Sequence, residues 1–454
     1  MGRKTTDFTS GDPVKKLLTF SWPLILATIL QQLYNTADTL VIGRFVGDTA
    51  MGAVGTAGTI TMLMMMLITG ATQGISVIIA QFFGAKDERM VRRTLMTGMY
   101  IIIALAVIFG ILGIILARPL LQLINVKGEA LEMAAVYLRI IFAGTVFTAL
   151  YNMGYSISRS LGDSITPMFV LIFTSIVNIA LNVLFVVGFK MGVAGVGYAT
   201  VLATILSVIF CWVLMLRKMP HIKPDRDSLQ PDKSVARLVA KIGLPSSLMS
   251  STNMIANMIF QALINGFTTA ALPVMAAFAA ASKINSLVAW PPGGLAFGLQ
   301  VLAGQNMGAA KFDRVRQGVK ATIKIIFGYS IFTAILLAVC GRFFMSLFTS
   351  TPITIRIGYQ YLLVMGFGVI ITGFSFAFKS ALSGCGDAMA ATGLSLLEVA
   401  TQIIMALILS RATPLGYLGI FLAQPIGSLV GALVGFFRYR SGKWMSKRIV
   451  RDED

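Results

Sequence analysis

Three polar side chains share one face of the first long apolar segment. Gln31, Asn35 and Asp38 are spaced i, i+4 and i+7, and Tyr34 lies one turn before the aspartate. A lone carboxylate inside such a segment is costly, so residues of this kind usually face a wet cavity and serve a function. One carboxylate can hold a proton, a sodium ion or an organic cation, but only one at a time. That mutual exclusion is the physical basis of an antiporter.

Further amides and hydroxyls in the first half of the chain could complete a site around Asp38. Asn178 and Asn182 are again spaced i and i+4, and Asn152 and Thr200 lie in neighbouring apolar segments. Amide and hydroxyl oxygens coordinate hard cations or orient a proton carrier. The predicted coupling site therefore comprises Tyr34, Asn35, Asp38, Asn178, Asn182 and Thr200.

The second half has a different set of polar residues. Glu398 and Lys283 lie near the middle of apolar segments and could form a buried ion pair, or each could pair with nearby amides. Alternatively, Glu398 attracts a cationic substrate. The predicted substrate cavity comprises Gln31, Asn152, Asn253, Asn257, Gln261, Lys283 and Glu398.

These residues are carried by an internal repeat with an offset of about 224 residues. Gly70 and Gly74 recur as Gly294 and Gly298, Gly162-Asp163 recurs as Gly386-Asp387, and Gly195 recurs as Gly419. One register held over such a span indicates two homologous halves. The Gly-x-x-x-Gly motifs predict close helix packing.

The repeat unit consists of membrane helices. Hydrophobic residues make up 56% of the chain and charged residues 12%, which is outside the range of soluble domains. We predict an all-α membrane protein with twelve transmembrane helices in two six-helix lobes, related by a pseudo-two-fold axis along the membrane normal. The predicted spans are 16–43, 52–80, 93–117, 132–156, 165–188, 195–217, 238–264, 276–304, 317–340, 356–379, 388–410 and 415–437.

Basic residues set the predicted topology. Of 37 Lys and Arg residues, 27 fall in the two tails and in the loops after even-numbered helices. By the positive-inside rule, both termini are cytoplasmic. The predicted segments are a cytoplasmic tail (1–15), an N-lobe (16–217), a polar linker (218–237), a C-lobe (238–437) and a second tail (438–454). The net charge of +19 is explained by the orientation of the protein in the membrane and by contact with membrane lipids. We therefore expect no nucleic-acid partner.

Several classes of function lack their motifs. The chain has no Walker-type phosphate loop, no H-E-x-x-H, no G-x-S-x-G and no paired cysteine spacing. We therefore expect no enzyme and no cofactor. Two repeated halves without an energy-consuming domain are typical of a secondary transporter that rocks one half against the other.

At these residues the chain resembles the multidrug and toxic compound extrusion (MATE) family, and prokaryotic DinF-like members most. The resemblance is carried by YNTADTLVIGRFVG (34–47), NIALNVLFVVG (178–188), AGVGYAT (194–200) and ALSGCGD (381–387). It implies an exporter in the inner (plasma) membrane of a prokaryote that exchanges H⁺ or Na⁺ for amphipathic, often cationic, organic compounds. It also implies that Asp38 matches the coupling aspartate of the family, with Tyr34, Asn178 and Thr200 around it.

Two departures from the family pattern narrow the mechanism. Asn182 stands where several prokaryotic members have a second carboxylate, and helix 7 shows Asn253, Asn257 and Gln261 where other branches keep an acid. A lone aspartate suits a proton slightly better than sodium, and any sodium would bind at Asp38.

We expect a monomer. The alternatives are a flippase for lipid-linked saccharide precursors, which would need a more basic cavity, and a non-transporting receptor or scaffold.

Overall fold

The computed structural model describes residues 5–124, 126–269 and 272–450. For residues 32–41, 48, 221, 253, 287, 289 and 290 it describes the backbone alone. Within these ranges the chain forms thirteen α-helices, one π-helix and two 3₁₀-helices, and no strand occurs in them.

The first half of the chain forms seven α-helices. Their bounds are α1 Pro13–Phe45, α2 Asp48–Gly84, α3 Glu88–Leu123, α4 Gly128–Ala143, α5 Thr145–Ser160, α6 Ile165–Asn182 and α7 Gly192–Lys218. A π-helix, Val183–Gly188, continues α6, and a short 3₁₀-helix, Pro220–Ile222, follows α7. The axes of α4 and α5 differ by 54° at Gly144, and together the two helices are long and apolar enough for one bent span.

The second half forms six longer helices. Their bounds are α8 Lys233–Gly266, α9 Val274–Gly308, α10 Phe312–Ser346, α11 Pro352–Gly384, α12 Ala388–Arg411 and α13 Tyr417–Arg440. A 3₁₀-helix, Lys443–Lys447, lies beyond α13. When α4 with α5, and α6 with the π-helix, are each taken as one span, every predicted span coincides with a helix. The prediction of an all-α architecture is confirmed.

Length and composition agree with membrane crossing. In the part of the chain that the structure describes, nine helices are long and apolar enough to span a bilayer, and two bent pairs raise the number to eleven. α8 is the remaining predicted span. It is 34 residues long, more than a bilayer requires.

The described helices pack into two compact units that exchange the starts of two helices. The first unit contains Trp22–Ser247 and the described residues up to Asp7, and the second contains Phe8–Ser21 and the described residues from Leu248 onward. The first turns of α1 therefore pack within the second unit, and the first turns of α8 pack within the first unit. The predicted lobes were continuous stretches of sequence, so their boundaries differ from those of the units.

The repeated glycine motif holds these exchanged segments. In the first unit, a Cβ at Gly70 would lie 2.1 Å from Ser247 Cα, and one at Gly74 would lie 2.6 Å from Gly243 Cα. In the second unit, a Cβ at Gly298 would lie 2.8 Å from Ser21 Oγ. Only glycine allows the helix backbones to come this close, so the motif has the predicted packing role.

Candidate functional site

The first unit brings together three predicted coupling residues on α6 and α7. Asn182 Nδ2 donates to Asn178 Oδ1 at 2.6 Å, and Asn178 Nδ2 donates to Thr200 Oγ1 at a longer 3.4 Å. The Thr200 hydroxyl donates to the carbonyl oxygen of Val196 at 3.0 Å. Both asparagines are buried. This amide cluster (Asn178, Asn182 and Thr200) is thus a directed chain of hydrogen bonds inside an apolar bundle.

A pair of hydroxyls lies one helical turn before the amide cluster. Thr174 Oγ1 donates to Ser207 Oγ at 2.6 Å, and Ser207 donates to the carbonyl oxygen of Ala203 at 2.6 Å. These bonds join α6 to α7 and satisfy polar groups that would be costly to bury unpaired. This pair was not among the residues predicted from the sequence to form the site.

The helix that carries the two asparagines changes type directly after them. The α-helix ends at Asn182, and the next six residues, Val183–Gly188, form a π-helix. The repeat counterpart, α12, is α-helical from Ala388 to Arg411. The π-helix ends α6 directly after the two asparagines, and this is a local difference between the two halves.

The helix-1 residues of the predicted site are only partly described. Tyr34, Asn35 and Asp38 fall within α1, and their side chains lie outside the described part of the structure. Gln31, on the same helix, is exposed. Asn152 of α5 is half-buried and donates to the carbonyl oxygen of Thr148 in its own helix at 2.8 Å. Within the described residues, Asn152 therefore bonds to its own helix and not to the amide cluster.

The second unit contains a charged cluster around Glu398. Its Oε2 atom lies 2.8 Å from Lys379 Nζ and accepts a hydrogen bond from Ser375 at 2.8 Å. Its Oε1 atom accepts a hydrogen bond from Ser428 at 2.6 Å. Glu398 and Lys379 side chains are each 7% exposed. The charged cluster (Glu398, Lys379, Ser375 and Ser428) is therefore a buried ion pair whose carboxylate is well hydrogen-bonded.

Two glycines of α13 allow close packing around Glu398, one against its side chain and one against its backbone. A Cβ at Gly431 would lie 2.8 Å from Glu398 Oε2 and 2.9 Å from Ser375 Oγ. A Cβ at Gly427 would lie 2.7 Å from the carbonyl oxygen of Glu398. The small-residue pattern on α13 thus accommodates a buried charge as well as a neighbouring helix.

The expected partner of Glu398 needs correction. Lys283 is exposed on α9, and the ion pair of Glu398 is with Lys379. Apolar periodicity places a lysine on a helix, but it does not say which neighbouring helix supplies the counter-ion. The i, i+4 spacing of Ser375 and Lys379 was the signal that could have identified this face.

The predicted polar face of α8 is more open than the charged cluster. Asn257 is exposed, and Gln261 is half-buried and donates to Asn265 Oδ1 of the same helix at 2.9 Å. The side chain of Asn253 lies outside the described residues. None of these observations assigns a substrate contact.

A small pocket adjoins the charged cluster within the second unit. Thr372, Phe376 and Gln424 are among its lining residues. Thr372 donates to Ser428 Oγ at 3.4 Å, and Lys379 Nζ lies 4.8 Å from the centre of the Phe376 ring. In the described ranges, no group of three His, Cys, Asp or Glu residues is arranged to hold a metal ion.

Comparison with known proteins decides the family. The MatE family model matches residues 23–184 and 245–408, which together are more than two thirds of the chain. The chain belongs to the MatE family. The two matched stretches begin at equivalent points of the two halves, at Pro23 and Pro245.

Similar proteins cover this MatE chain from end to end. The probable multidrug resistance protein YpnP of Bacillus subtilis (strain 168) is 26% identical over 452 residues, covering 99% of this chain and 100% of that protein. The probable multidrug resistance protein YoeA of the same organism is 27% identical, with coverages of 95% and 94%. A crystal structure of MATE in the bent conformation superposes with a TM-score of 0.90 at 25% identity, covering 98% of this chain and 100% of the other.

Family membership confirms the predicted class of protein. This MatE chain is a multi-pass membrane transporter of the multidrug efflux family and not an enzyme, and members of the family transport without a cofactor.

Proposed function

We propose that this MatE protein is a secondary antiporter that exports amphipathic, often cationic, organic compounds in exchange for H⁺. The observation that carries the proposal is the buried amide cluster on α6 and α7, within the compact unit that also contains most of α1 and Asp38. The names of its relatives, which refer to multidrug resistance, support the substrate class.

In this proposal Asp38 carries the coupling proton and the amide cluster positions it. Tyr34 and Asn35, on the same helix, complete the site. Each neutral amide or hydroxyl can accept or donate a hydrogen bond as the carboxyl gains or loses its proton. Because the cluster has no charge of its own, the net charge of the site is that of Asp38, which is negative when deprotonated and neutral when protonated. An organic cation can then replace the proton but cannot bind beside it.

The hydrogen-bond directions support H⁺ over Na⁺ as the coupling ion. Asn178 Oδ1 already accepts from Asn182, and Thr200 Oγ1 already accepts from Asn178. A sodium ion would need several such oxygens turned towards it, whereas proton transfer leaves the chain of amides intact. If Na⁺ is nevertheless the ion, it binds at Asp38.

In the second unit we assign Glu398 a structural role. Its carboxylate is occupied by Lys379, Ser375 and Ser428, which leaves little for a substrate to gain. Gln31, Asn152, Asn253, Asn257, Gln261 and Lys283 remain the proposed lining of the substrate cavity.

We further propose the membrane arrangement predicted from the charges. The protein resides as a monomer in the inner membrane of a prokaryote with both termini cytoplasmic, and two six-helix lobes rock about the substrate path. Membrane lipids surround the apolar helices. The lobes span residues 16–217 and 238–437, with a linker at 218–237.

The flippase alternative has less support. A carrier of lipid-linked saccharide precursors would be expected to line its cavity with several unpaired basic residues. The buried lysine of the second unit, Lys379, is neutralised by Glu398.

The test is uptake of a fluorescent organic cation into proteoliposomes. We expect an imposed pH gradient to drive uptake, a sodium gradient to drive none, and Asp38→Asn to abolish the pH-driven uptake. If neither gradient moves the dye, or if Asp38→Asn transports like the wild type, the antiporter proposal is wrong.

A further inference from the structure

An apolar groove runs along the outside of the first unit between α6 and α7. It has a volume of about 500 Å³ and is lined mainly by large side chains, among them Phe169, Phe173, Ile176, Phe210 and Leu214. Phe169 is 52% exposed and Ile176 is 64% exposed. The rings of Phe173 and Phe210 pack with centroids 4.6 Å apart. The groove is thus an open, preformed surface rather than a gap in the core.

One end of the groove is polar and carries a cation. Lys218, in the last turn of α7, lines the groove together with Thr166 at the start of α6. Lys218 Nζ lies 2.6 Å from Thr166 Oγ1 and 3.1 Å from Asp163 Oδ2, and its side chain is 34% exposed. Asp163 is 7% exposed and also accepts backbone hydrogen bonds from Ile165 and Thr166.

The buried carboxylate and the exposed ammonium play different roles at this end. Two backbone amides, the Thr166 hydroxyl and Lys218 satisfy Asp163, so it presents little charge outward. The ammonium of Lys218 has three N–H groups, of which two are used by Thr166 and Asp163. Arg217, exposed on the same turn of α7, adds a second cation. The accessible charge at this end of the groove is therefore positive.

The length of the groove matches one leaflet of a membrane. From Ile165 to Ile176 the helix advances about 16 Å at 1.5 Å per residue. Half of a hydrocarbon core of roughly 30 Å is about 15 Å. An acyl chain that follows α6 from the polar end would therefore reach about the middle of the bilayer.

The second unit lacks these features at the equivalent positions. With an offset of 224 residues, Phe169 corresponds to Gly393, Thr166 to Ala390 and Lys218 to Gly442. Leu214 corresponds to Arg438, which pairs with the buried Asp387 at 2.7 Å. The groove is a property of the first unit and not a general consequence of the repeated fold.

We propose that this groove binds one anionic phospholipid. Its acyl chain packs along Phe169, Phe173 and Ile176, and its phosphate accepts a hydrogen bond from the remaining N–H of Lys218. This inference depends on the protein lying in a membrane and not on the proposed antiport, so it can fail while the antiport proposal stands.

Native mass spectrometry of the full-length protein tests the site. The protein is titrated with dioleoyl phosphatidylglycerol and, separately, with dioleoyl phosphatidylcholine. We expect one tightly retained phosphatidylglycerol and about tenfold weaker retention in Lys218→Gln, the loss of one charge-assisted hydrogen bond. Ile176→Trp, which fills the groove and leaves the polar end unchanged, should weaken retention to a similar degree.

Two control substitutions separate this site from general lipid contact. Arg440→Gln removes a cation from the last turn of α13, and Leu433→Ala removes an exposed apolar side chain from the same helix. Both should retain phosphatidylglycerol like the wild type. Equal retention of the two lipids by the wild type would overturn the proposal. So would wild-type retention by Ile176→Trp in protein with an unchanged melting temperature, even if Lys218→Gln fails to fold.

Discussion

The two units place opposite kinds of chemistry at equivalent positions of the repeat. With an offset of 224 residues, Thr174 corresponds to Glu398, Tyr155 to Lys379 and Ser207 to Gly431. The first unit has a hydrogen-bonded pair of hydroxyls where the second has a buried ion pair. The second unit has a glycine in place of this serine, which leaves space for the longer glutamate. The three positions therefore differ together between the two units.

The comparison also separates the two carboxylates. Glu398 is neutralised within its own unit, so gaining or losing a proton there would break a buried ion pair at considerable cost. The residues of the amide cluster in the first unit carry no charge of their own. A carboxyl group beside it can change its charge with the external conditions. This contrast is why we place ion coupling at Asp38 and structural support at Glu398.

The largest effect is expected from removing the amide that joins α6 to α7. Asn178→Ala should lose most of the gradient-driven transport, because Asn182 loses its acceptor and Thr200 loses its donor. At the equivalent position, Gln402→Ala should keep most of the transport, since its contacts to Glu398 and Gln424 are long, at 3.5 Å each. Uptake into proteoliposomes measures both. Equal losses would remove the functional distinction between the units.

The next effect is on stability. Lys379→Met leaves Glu398 buried without its counter-ion and should cost about 3–5 kcal/mol, measured as a fall in melting temperature in detergent. Adding Glu398→Gln should recover much of that loss because no lone charge remains. The matched control is Tyr155→Phe, which retains the ring at the equivalent position and should have a small effect. If Lys379→Met melts like the wild type, the ion pair does not stabilise the second unit.

A smaller stability effect is expected at Gly431. Gly431→Ser should cost about 1–3 kcal/mol because its Cβ overlaps Glu398 Oε2. Copying the first unit by adding Glu398→Thr and Lys379→Tyr should recover part of the loss. Gly393→Ser is the control, since a Cβ there meets nothing within 4 Å. A triple variant less stable than Gly431→Ser alone would show that these positions are not interchangeable between the units.

The smallest expected effect is on the pH at which a protease can cut the segments that follow α7 and α13. The pKa of Asp232 lies below its usual range despite partial burial. The carboxylate accepts hydrogen bonds from the hydroxyl of Ser234 and from the backbone N–H groups of Val235 and Ser234, and the charge of Arg93 lowers the pKa further. Because the folded-state pKa is the lower one, the stabilisation is present above the unfolded-state pKa. It is lost as the pH falls through the folded-state value.

The segment after α13 is attached by ring packing and by a hydrogen bond from the Trp444 indole to the carbonyl oxygen of Tyr439. Trp444 is buried and stacks on Tyr439 with ring centroids 5.5 Å apart. Limited proteolysis with pepsin at decreasing pH should therefore cut the 219–232 linker before the 443–447 segment. Simultaneous cleavage of both segments would contradict this difference between the units.

Much of the fold, and less of the site, followed from the sequence. Apolar stretches predicted every span, and the repeated Gly70-x-x-x-Gly74 motif predicted close packing. The i, i+4 spacing of Asn178 and Asn182 predicted that they share a face. The exchange of helix starts was not predicted, because periodicity describes each helix and not its neighbours. For the same reason, Lys283 and Lys379 could not be told apart as partners of Glu398.

We propose that ion coupling belongs to the first unit and not to the second. The most direct test measures pH-driven uptake of a fluorescent cation by two neutralised proteins, Asp38→Asn and the double variant Glu398→Gln with Lys379→Met. We predict that Asp38→Asn shows no gradient-driven uptake. The double variant leaves no lone buried charge, so we predict that it responds to the gradient like the wild type. Uptake that survives Asp38→Asn but is lost in a folded double variant would contradict it.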